Sequence, residues 1–371
     1  MRVRCALYVE VTEEADLLAL DWAALPQPVM VMGGGSNLLF TRDFPGTVLH
    51  VAVNGISPLG RNDKTVPVRS AIPGTSPVIP GTSPVISSDP SSVIPSEVEE
   101  SPLLVTLGAG VVFDEFCAWA AEEGLWGPEN LSLIPGEVGA SAVQNIGAYG
   151  VEAKDIIASI RAYDRTTGQF VTIDPATCAY GYRTSKFKTE WKGRYVITAV
   201  TYRLSRTPQP RLDYGGVRKA LEESGKVPAP GNSTTLRPAD IREAIIGIRQ
   251  QKLPAVEELG SAGSFFCNPV ISREHFQRIE AIARADNGPD YRVPHYEVGD
   301  SIKVPAAWMI EQCGFKGARS GGAQVYQKQP LVIVNASGTA SPEDIIGLEQ
   351  QIIKTIEQKY GITLHPEVEH V

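Results

Sequence analysis

The sequence has little cysteine or histidine and lacks a long hydrophobic run. Of its 371 residues, only five are cysteine and five are histidine. The cysteines are scattered and form no Cys-x-x-Cys pair, so neither a disulfide framework nor a thiolate metal site is predicted. No stretch approaches the roughly 20 apolar residues that cross a membrane, and the N-terminal residues lack the apolar core of a signal peptide. We therefore expect a cytoplasmic protein without a bound metal.

Positive charge is also in the minority. The chain carries 34 Lys and Arg against 42 Asp and Glu, a formal net charge of −8. This balance argues against a general nucleic-acid binder and favours small-molecule partners. A hydrophobic fraction of 43% is typical of globular proteins, and the length suffices for two or three domains. We expect a monomer.

One segment differs from the rest in composition. Ile72–Val78 (IPGTSPV) is repeated letter for letter by Ile79–Val85, and a Ser/Pro/Glu-rich run follows to Pro102. Such a segment cannot bury enough apolar area to offset the entropy of ordering. It predicts a flexible low-complexity insertion over residues 61–101.

Outside the insertion, strands and helices are mixed without a regular βαβ alternation. Apolar runs predict strands at 28–32 and 103–113, and a strand meander over 156–204. Helical periodicity and capping residues predict helices at 113–124, 238–251, 272–286, 305–313 and 341–360. This order favours an α+β fold over a doubly wound sheet.

Two glycine-rich stretches suggest that backbone approaches a ligand closely. Leu133–Gly150 (LIPGEVGASAVQNIGAYG) has small side chains and one charge, and Gly33–Asn37 (GGGSN) follows a predicted strand. Exposed amides in such loops can form a nest for an anion, most often a phosphate. Each loop alone could equally be tight packing, and neither opens a dinucleotide-binding helix with the Gly-x-Gly-x-x-Gly fingerprint. Two such loops, about a hundred residues apart, fit the diphosphate of a dinucleotide better than a mononucleotide.

Three further segments carry candidate chemistry, each with a simpler alternative. Tyr180–Lys188 (YGYRTSKFK) is rich in cations and could be a solvated basic loop. Ser264 precedes two phenylalanines, so we expect its hydroxyl against apolar surface, although a turn or cap serine is the common case. The C-terminal HPEVEHV could fray, and spacing alone does not separate Glu367 from Glu369.

These motifs occur together in a recognisable order. MGGGSNLL, IPGEVGASAVQNIGAYGVE, YGYRTSKFK, AGSFFCNP and HPEV resemble the motifs of the UDP-N-acetylenolpyruvoylglucosamine reductase (MurB) family. The resemblance covers nearly the whole chain outside the insertion. It implies an α+β fold with a two-part FAD-binding region of the vanillyl-alcohol-oxidase (PCMH) type and a separate α+β substrate-binding domain.

The resemblance also implies a domain division. FAD-binding subdomain 1 would span 1–60, with the tail 361–371 returning to the active site. Subdomain 2 would span 102–206, and the substrate-binding domain 207–360. The chain begins near its first strand, without the Asn-Thr-Phe-like segment usual in the family, and Cys267 stands where lysine is common.

The implied activity is reduction of UDP-N-acetylglucosamine enolpyruvate to UDP-N-acetylmuramate in peptidoglycan precursor synthesis. NADPH would reduce bound FAD, and a hydride would pass from the flavin to C3 of the enolpyruvyl group. Arg183 and Glu367 would then stabilise the enolate and Ser264 would protonate C2. An arginine fork suits this task because it can hold a carboxylate bidentately.

The resemblance assigns binding residues as well. Tyr214, Lys252 and Asn268 would contact the nucleotide-sugar, and Tyr214 in a longer substrate domain resembles the type I enzymes. The residues that would contact the cofactor are Gly33, Gly34, Gly35, Ser36, Asn37, Leu38, Pro135, Gly136, Gly139, Ala140, Asn145, Gly147, Ala148 and Tyr149.

Two other functions remain open from the sequence. A related FAD-dependent oxidase or dehydrogenase could act on another substrate. A non-catalytic nucleotide-sugar-binding protein could use the same loops without flavin chemistry.

Overall fold

A computed structural model describes residues 3–59, 102–226, 236–255 and 258–371. The insertion predicted over 61–101 lies outside these residues. Within them no helix is long and apolar enough to cross a membrane.

The strands and helices follow in chain order. The strands are β1 (Cys5–Val11), β2 (Val29–Met32), β3 (Leu38–Leu39), β4 (Phe44–Val51), β5 (Ile56–Leu59), β6 (Leu103–Gly108), β7 (Gly147–Ala148), β8 (Val151–Glu152), β9 (Ile157–Asp164), β10 (Gln169–Ile173), β11 (Tyr195–Leu204), β12 (Ser261–Ser264), β13 (Val270–Ser272), β14 (Tyr296–Val298), β15 (Ser301–Lys303), β16 (Arg319–Ser320), β17 (Ala323–Val325), β18 (Val332–Asn335) and β19 (Glu369–His370). The helices are α1 (Glu14–Ala19), α2 (Phe113–Glu122), α3 (Val138–Gln144), α4 (Val217–Glu223), α5 (Pro238–Lys252), α6 (Arg273–Asn287), α7 (Ala306–Gln312) and α8 (Pro342–Tyr360).

Two sheets share the largest hydrophobic core. A parallel sheet has the order β1-β4-β2, and an antiparallel sheet has the order β10-β9-β11-β6-β5. Helix α2 buries Phe113 and Phe116 against Tyr202 of β11, with the Phe116 and Tyr202 rings stacked 4.7 Å apart. Stacked aromatic pairs of this kind stabilise a core beyond the area that they bury. The core thus lies directly behind the two glycine-rich loops.

A second core lies in the C-terminal part. It contains the sheets β12-β18-β17-β16 and β13-β15-β14, with α6, α7 and α8. Ser341 caps α8 by accepting from the Asp344 amide, and Pro342 follows at the first helical position. The buried residues Ile345, Leu348, Ile352 and Ile356 follow helical spacing and pack this face of α8 into the core.

Helices α4 and α5 form a third, smaller cluster. Val217, Leu221, Ile241 and Ile245 are fully buried there against Trp126. A bidentate ion pair joins this cluster to α2, with Arg242 Nη2 2.9 Å from Asp114 Oδ2.

The strands and helices named from the sequence are confirmed within a few residues, and the mixed architecture confirms the α+β prediction. Three helices were not predicted. These are α1, α4 and α3, and α3 lies inside the glycine run that was expected to be a loop. Strand β5 pairs with β6, so residues on both sides of the insertion belong to one sheet. The domain boundaries themselves stay a prediction.

Candidate functional site

The two glycine-rich loops meet at one cavity. The cavity has a volume of about 430 Å³. Its walls include Gly33–Leu38, Pro135–Glu137 and Gly139–Ala140, together with the C-terminal residues Glu369–Val371. Loops about a hundred residues apart in the chain therefore form one site, as the dinucleotide hypothesis requires.

Asn37 joins the parts of this site. Its side-chain amide donates to Gln144 Oε1 at 2.9 Å and to the Glu367 carbonyl at 3.0 Å. Its own carbonyl accepts from the Glu369 amide at 3.0 Å, and β19 then pairs in parallel with β3. One side chain thus connects the first glycine loop with α3 and with the C-terminal strand.

The glycines of both loops fit a closely approached ligand. Gly35 and Gly136 have φ angles of +70° and +108°, which side chains rarely adopt. A Cβ on Gly136 would lie 2.9 Å from Ser36 Oγ, and one on Gly33 would lie 2.8 Å from Glu137 Oε2. A Cβ on Gly139 would meet the Ala109 Cβ at 2.9 Å. The backbone of both loops is therefore held close together at the cavity wall, without side chains in between, and this close approach fits the diphosphate of FAD.

Arg183 and Glu367 form a largely buried ion pair. Arg183 Nε lies 3.0 Å from Glu367 Oε1, and the two side chains are 18% and 13% exposed. Arg183 Nη2 donates to the Gly147 carbonyl of the second glycine-rich loop. Arg183 itself has φ +56°, a strained conformation for a residue other than glycine. The contacts with Glu367 and with the Gly147 carbonyl hold the guanidinium beside the second glycine loop.

The Glu367 carboxyl lies in an environment that disfavours its ionised form. Burial raises its pKa, while the charges of Arg183 and Lys188 oppose that shift. Its backbone amide donates to the Phe265 carbonyl at 2.8 Å, which brings the C-terminal segment beside β12. The neighbouring Glu369 instead pairs with Lys192. The structure thus separates the two glutamates that spacing left equivalent.

Ser264 lies at the end of β12, directly before Phe265. We expected its hydroxyl against apolar surface, and this is wrong because the residue is exposed. The apolar surface next to it is covered by Phe265 and Phe266 themselves, which are both buried in the second core, while Ser264 ends β12 at the surface. The hydroxyl is therefore accessible to a bound molecule near the Glu367 segment.

An aromatic cluster with a lysine lies next to Arg183. The Tyr182 ring has Arg183 Cζ and Lys303 Nζ each 5.1 Å from its centroid. Lys303 also lies 5.7 Å from the Tyr296 centroid, and Tyr214 stacks on Tyr296 at 5.2 Å. Burial lowers the pKa of the Lys303 ammonium. A partly desolvated ammonium attracts an anionic ligand more strongly than one in water, because the effective dielectric around it is lower.

Of the three substrate candidates, two belong to this cluster. Asn268 donates to the Tyr182 hydroxyl at 3.3 Å and accepts from the Ala306 amide at 2.9 Å. Tyr214 packs over Gly150, the last residue of the glycine run. Lys252 is exposed at the last turn of α5, and no ion pair joins it to another described residue.

Four of the cofactor candidates make contacts within the protein. Asn145 is fully buried at the end of α3 with φ +48°. Its amide donates to Glu152 Oε2 at 3.0 Å and to the Gly181 carbonyl at 2.9 Å, so it positions the loop that carries Arg183. The Tyr149 ring packs over Gly215, where a Cβ would lie 2.5 Å from Cδ1. Gly147 and Ala148 form β7, which pairs with β8.

Sequence reasoning missed Tyr182, Tyr296, Lys303 and Glu137. Tyr182 precedes Arg183 and could have been found from that position. Glu137 is the one charged residue of the second glycine-rich stretch and could have been found there, whereas Tyr296 and Lys303 carry no local signal because they come from strands distant in sequence. Within the described ranges, no group of three potential metal ligands comes together.

Comparisons with known proteins agree with this geometry. Residues 95–174 match the FAD binding domain model. Residues 254–371 match the model of the UDP-N-acetylenolpyruvoylglucosamine reductase C-terminal domain.

Relatives match over nearly their full lengths. The UDP-N-acetylenolpyruvoylglucosamine reductase of Bacteroides fragilis is 37% identical, over 100% of this chain and 95% of the relative. That of Porphyromonas gingivalis is 39% identical, over 98% of this chain and 93% of the relative. The crystal structure of the Thermus caldophilus enzyme superposes with a TM-score of 0.56 at 20% identity, covering 98% of this chain and 91% of that one. With its cavity, its buried ion pair and these relatives, the chain belongs to the UDP-N-acetylenolpyruvoylglucosamine reductase family.

Proposed function

We propose that this protein reduces UDP-N-acetylglucosamine enolpyruvate to UDP-N-acetylmuramate, with NADPH as reductant and FAD as cofactor, in peptidoglycan precursor synthesis. The observation that carries the proposal is the Arg183–Glu367 ion pair, which is anchored both to the second glycine loop and to β12. Bound FAD supplies transfer of a hydride from NADPH to the enolpyruvyl group.

Arg183 binds the enolpyruvyl carboxylate in this reaction. Its Nε is engaged by Glu367 and its Nη2 by the Gly147 carbonyl, so the guanidinium is preorganised and costs little reorganisation when charge develops. Glu367 orients the guanidinium. It also balances the arginine charge, because an isolated buried cation would be costly.

Ser264 delivers the proton to C2 of the substrate. Ser264 is exposed at the end of β12, one residue before the carbonyl that binds the Glu367 amide. A hydroxyl is a weak acid, so its contribution depends on position and on the charges beside the reacting enolate.

The UDP part of the substrate lies against the aromatic cluster. Lys303 pairs with the diphosphate, with Tyr214 and Tyr296 packed beside it, and Asn268 holds the Tyr182 hydroxyl in place. Lys252, exposed and unpaired with described residues, closes onto the same diphosphate.

The test separates the two half-reactions of the enzyme with Ser264→Ala. The purified protein should be yellow, and anaerobic NADPH should bleach it at the wild-type rate. We expect reoxidation by the enolpyruvyl substrate to slow by about 10²-fold or more, because only this half-reaction needs the proton. Ser261→Ala, on the same strand, is the matched control and should reoxidise normally.

Each rival function has its own outcome. If Ser264→Ala kept the wild-type rate in both half-reactions, Ser264 would not be the proton donor. Bleaching followed by rapid oxygen consumption, with no response to the substrate, would indicate an oxidase. Protein that carries no flavin and still binds the nucleotide-sugar would indicate a non-catalytic binder.

The cellular setting is also a proposal. All five cysteines are free, which suits a reducing cytoplasm. The excess of acidic residues disfavours nucleic acid as a partner. We propose that the active unit is the monomer, which light scattering of the flavin-loaded protein checks.

A further inference from the structure

A buried carboxyl lies in the cavity at the first glycine loop. Glu137 belongs to the cavity wall, and its Oε2 has no hydrogen-bond partner among the described residues. A Cβ on Gly33 would lie 2.8 Å from Oε2 and one on Gly34 would lie 3.3 Å from Oε1. The carboxyl therefore lies against the backbone of Gly33 and Gly34, where the diphosphate of FAD would bind.

A histidine and a second carboxyl continue from Glu137 toward solvent. His50 Nε2 of β4 lies 3.3 Å from Glu137 Oε1, and His50 Nδ1 lies 3.2 Å from Glu10 Oε1 of β1. The Tyr8 hydroxyl of β1 also contacts His50 Nδ1, at 3.0 Å. The exposed fractions are 12% for the Glu137 side chain, 19% for His50 and 51% for Glu10, so the series runs from the cavity to the surface.

An ionised Glu137 carboxylate would repel the negative charges of a diphosphate bound beside it. A diphosphate is doubly anionic and would approach Gly33 and Gly34 beside the Glu137 carboxyl. Burial already raises the pKa of this carboxyl, while the His50 contacts and a hydrogen bond from the Gly34 amide oppose that shift. The titratable groups that face it are His50 from β4 and, behind His50, Glu10 and Tyr8 from β1, with Cys5 further along β1. An added anion disfavours an ionised carboxyl further.

We propose that Glu137, next to His50, is part of the cofactor site, and that binding of the FAD diphosphate is accompanied by uptake of one proton by Glu137. The inference rests on the proposed function, which places FAD at the glycine loops. A proton on Glu137 removes its negative charge and with it the repulsion of the diphosphate. The affinity for FAD should therefore increase as the pH falls.

The test measures cofactor release from the holoenzyme. Flavin-loaded protein is diluted at pH values from about 5.5 to 8.5, and the fluorescence of free FAD gives the Kd at each pH. Uptake of one proton predicts that the Kd rises by about tenfold per pH unit over part of this range. Glu137→Gln is neutral at every pH and keeps the shape of the side chain. We expect this variant to bind FAD more tightly than wild type at pH 8, with a flatter pH dependence.

Glu129→Gln is the control, since Glu129 is a buried carboxyl outside the cavity wall. It should keep the wild-type pH dependence. A pH-independent Kd in the wild type, or the same slope in Glu137→Gln as in the wild type, overturns the inference while leaving the proposed function intact. Protein that binds no FAD at any pH would overturn the proposed function instead.

Discussion

At the scale of single residues, Asn37 and Glu367 show what a motif can and cannot predict. They are 330 positions apart, yet the Asn37 amide binds the Glu367 carbonyl. Spacing alone does not distinguish Glu367 from Glu369; the family resemblance names Glu367, and in the folded chain Glu367 is the one that pairs with Arg183. Lys303 was not named because its surroundings come from Tyr182 and Tyr296, which no local pattern connects with it.

Protonation of Glu367 should cause the fall at low pH, the acid limb, in the rate at which the substrate reoxidises the flavin. Its pKa is raised, mainly by burial, so the carboxyl becomes protonated at a higher pH than an ordinary glutamate. Protonation removes the anion that orients Arg183, and the rate of flavin reoxidation should therefore fall with decreasing pH through that range. Glu367→Gln should lower this rate by about 10²-fold and lose the acid limb. The measurement is the pH profile of kcat/KM for the enolpyruvyl substrate.

The control for this prediction is Glu190→Gln, an exposed residue that pairs with Lys186. It should keep both the rate and the profile of the wild type. A Glu367→Gln enzyme that retained the acid limb would show that another group titrates there.

At the scale of elements, the sequence predicts a loop where the structure has helix α3. Periodicity predicted α2, α5 and α8 because each has a polar face and a buried face. Helix α3 has only seven residues and few large side chains, and a Gly/Ala/Ser run looks like a loop by composition. It forms because Gly139 packs tightly on Ala109 and because Asn145 ends the helix in the left-handed conformation. Tertiary contact therefore overrides weak local propensity.

Replacing glycine with alanine should therefore change the free energy of unfolding in opposite directions in α5 and α3. Gly247 lies inside α5 with no atom within 4 Å of an added Cβ, so Gly247→Ala should raise the free energy of unfolding by about 0.5–1 kcal/mol. In α3, the Cβ of Gly139→Ala would lie 2.9 Å from the Ala109 Cβ. This overpacking should lower the free energy of unfolding by about 1–3 kcal/mol. Denaturant unfolding of the two variants beside wild type measures both. Stabilisation by both substitutions would mean that the α3 contact is loose.

At the scale of the whole molecule, the C-terminal segment joins the parts. The Glu367 amide binds β12, and β19 pairs with β3 beside the first glycine loop. The fold class was predictable because strands and helices alternate irregularly along the chain. The return of the tail to the active site came from the family resemblance, since no property of HPEVEHV alone indicates its partners.

A buried acid on α8 ties this segment to the second core. Glu349 Oε2 lies 3.1 Å from His370 Nε2, and the Glu349 side chain is 6% exposed. Burial raises the pKa of Glu349 to about 7 and lowers that of His370. The folded state therefore favours the neutral carboxylic acid next to His370. Ionising it should weaken the attachment of the C-terminal strand.

The sign of the pH effect follows from linkage. The folded pKa of Glu349, about 7, is above its unfolded value near 4.5, so its contribution to stability is present at low pH and lost as the pH rises through 7. Glu349→Gln cannot ionise and should equal wild type near pH 4.5, but exceed it at pH 8 by about 2–3 kcal/mol. For a chain of this length that difference corresponds to about 3 °C in Tm. Glu357→Gln, an exposed change on the same helix, should show no such divergence. Parallel Tm curves for Glu349→Gln and wild type from pH 5 to 8 would mean that Glu349 is ionised in the folded protein throughout that range.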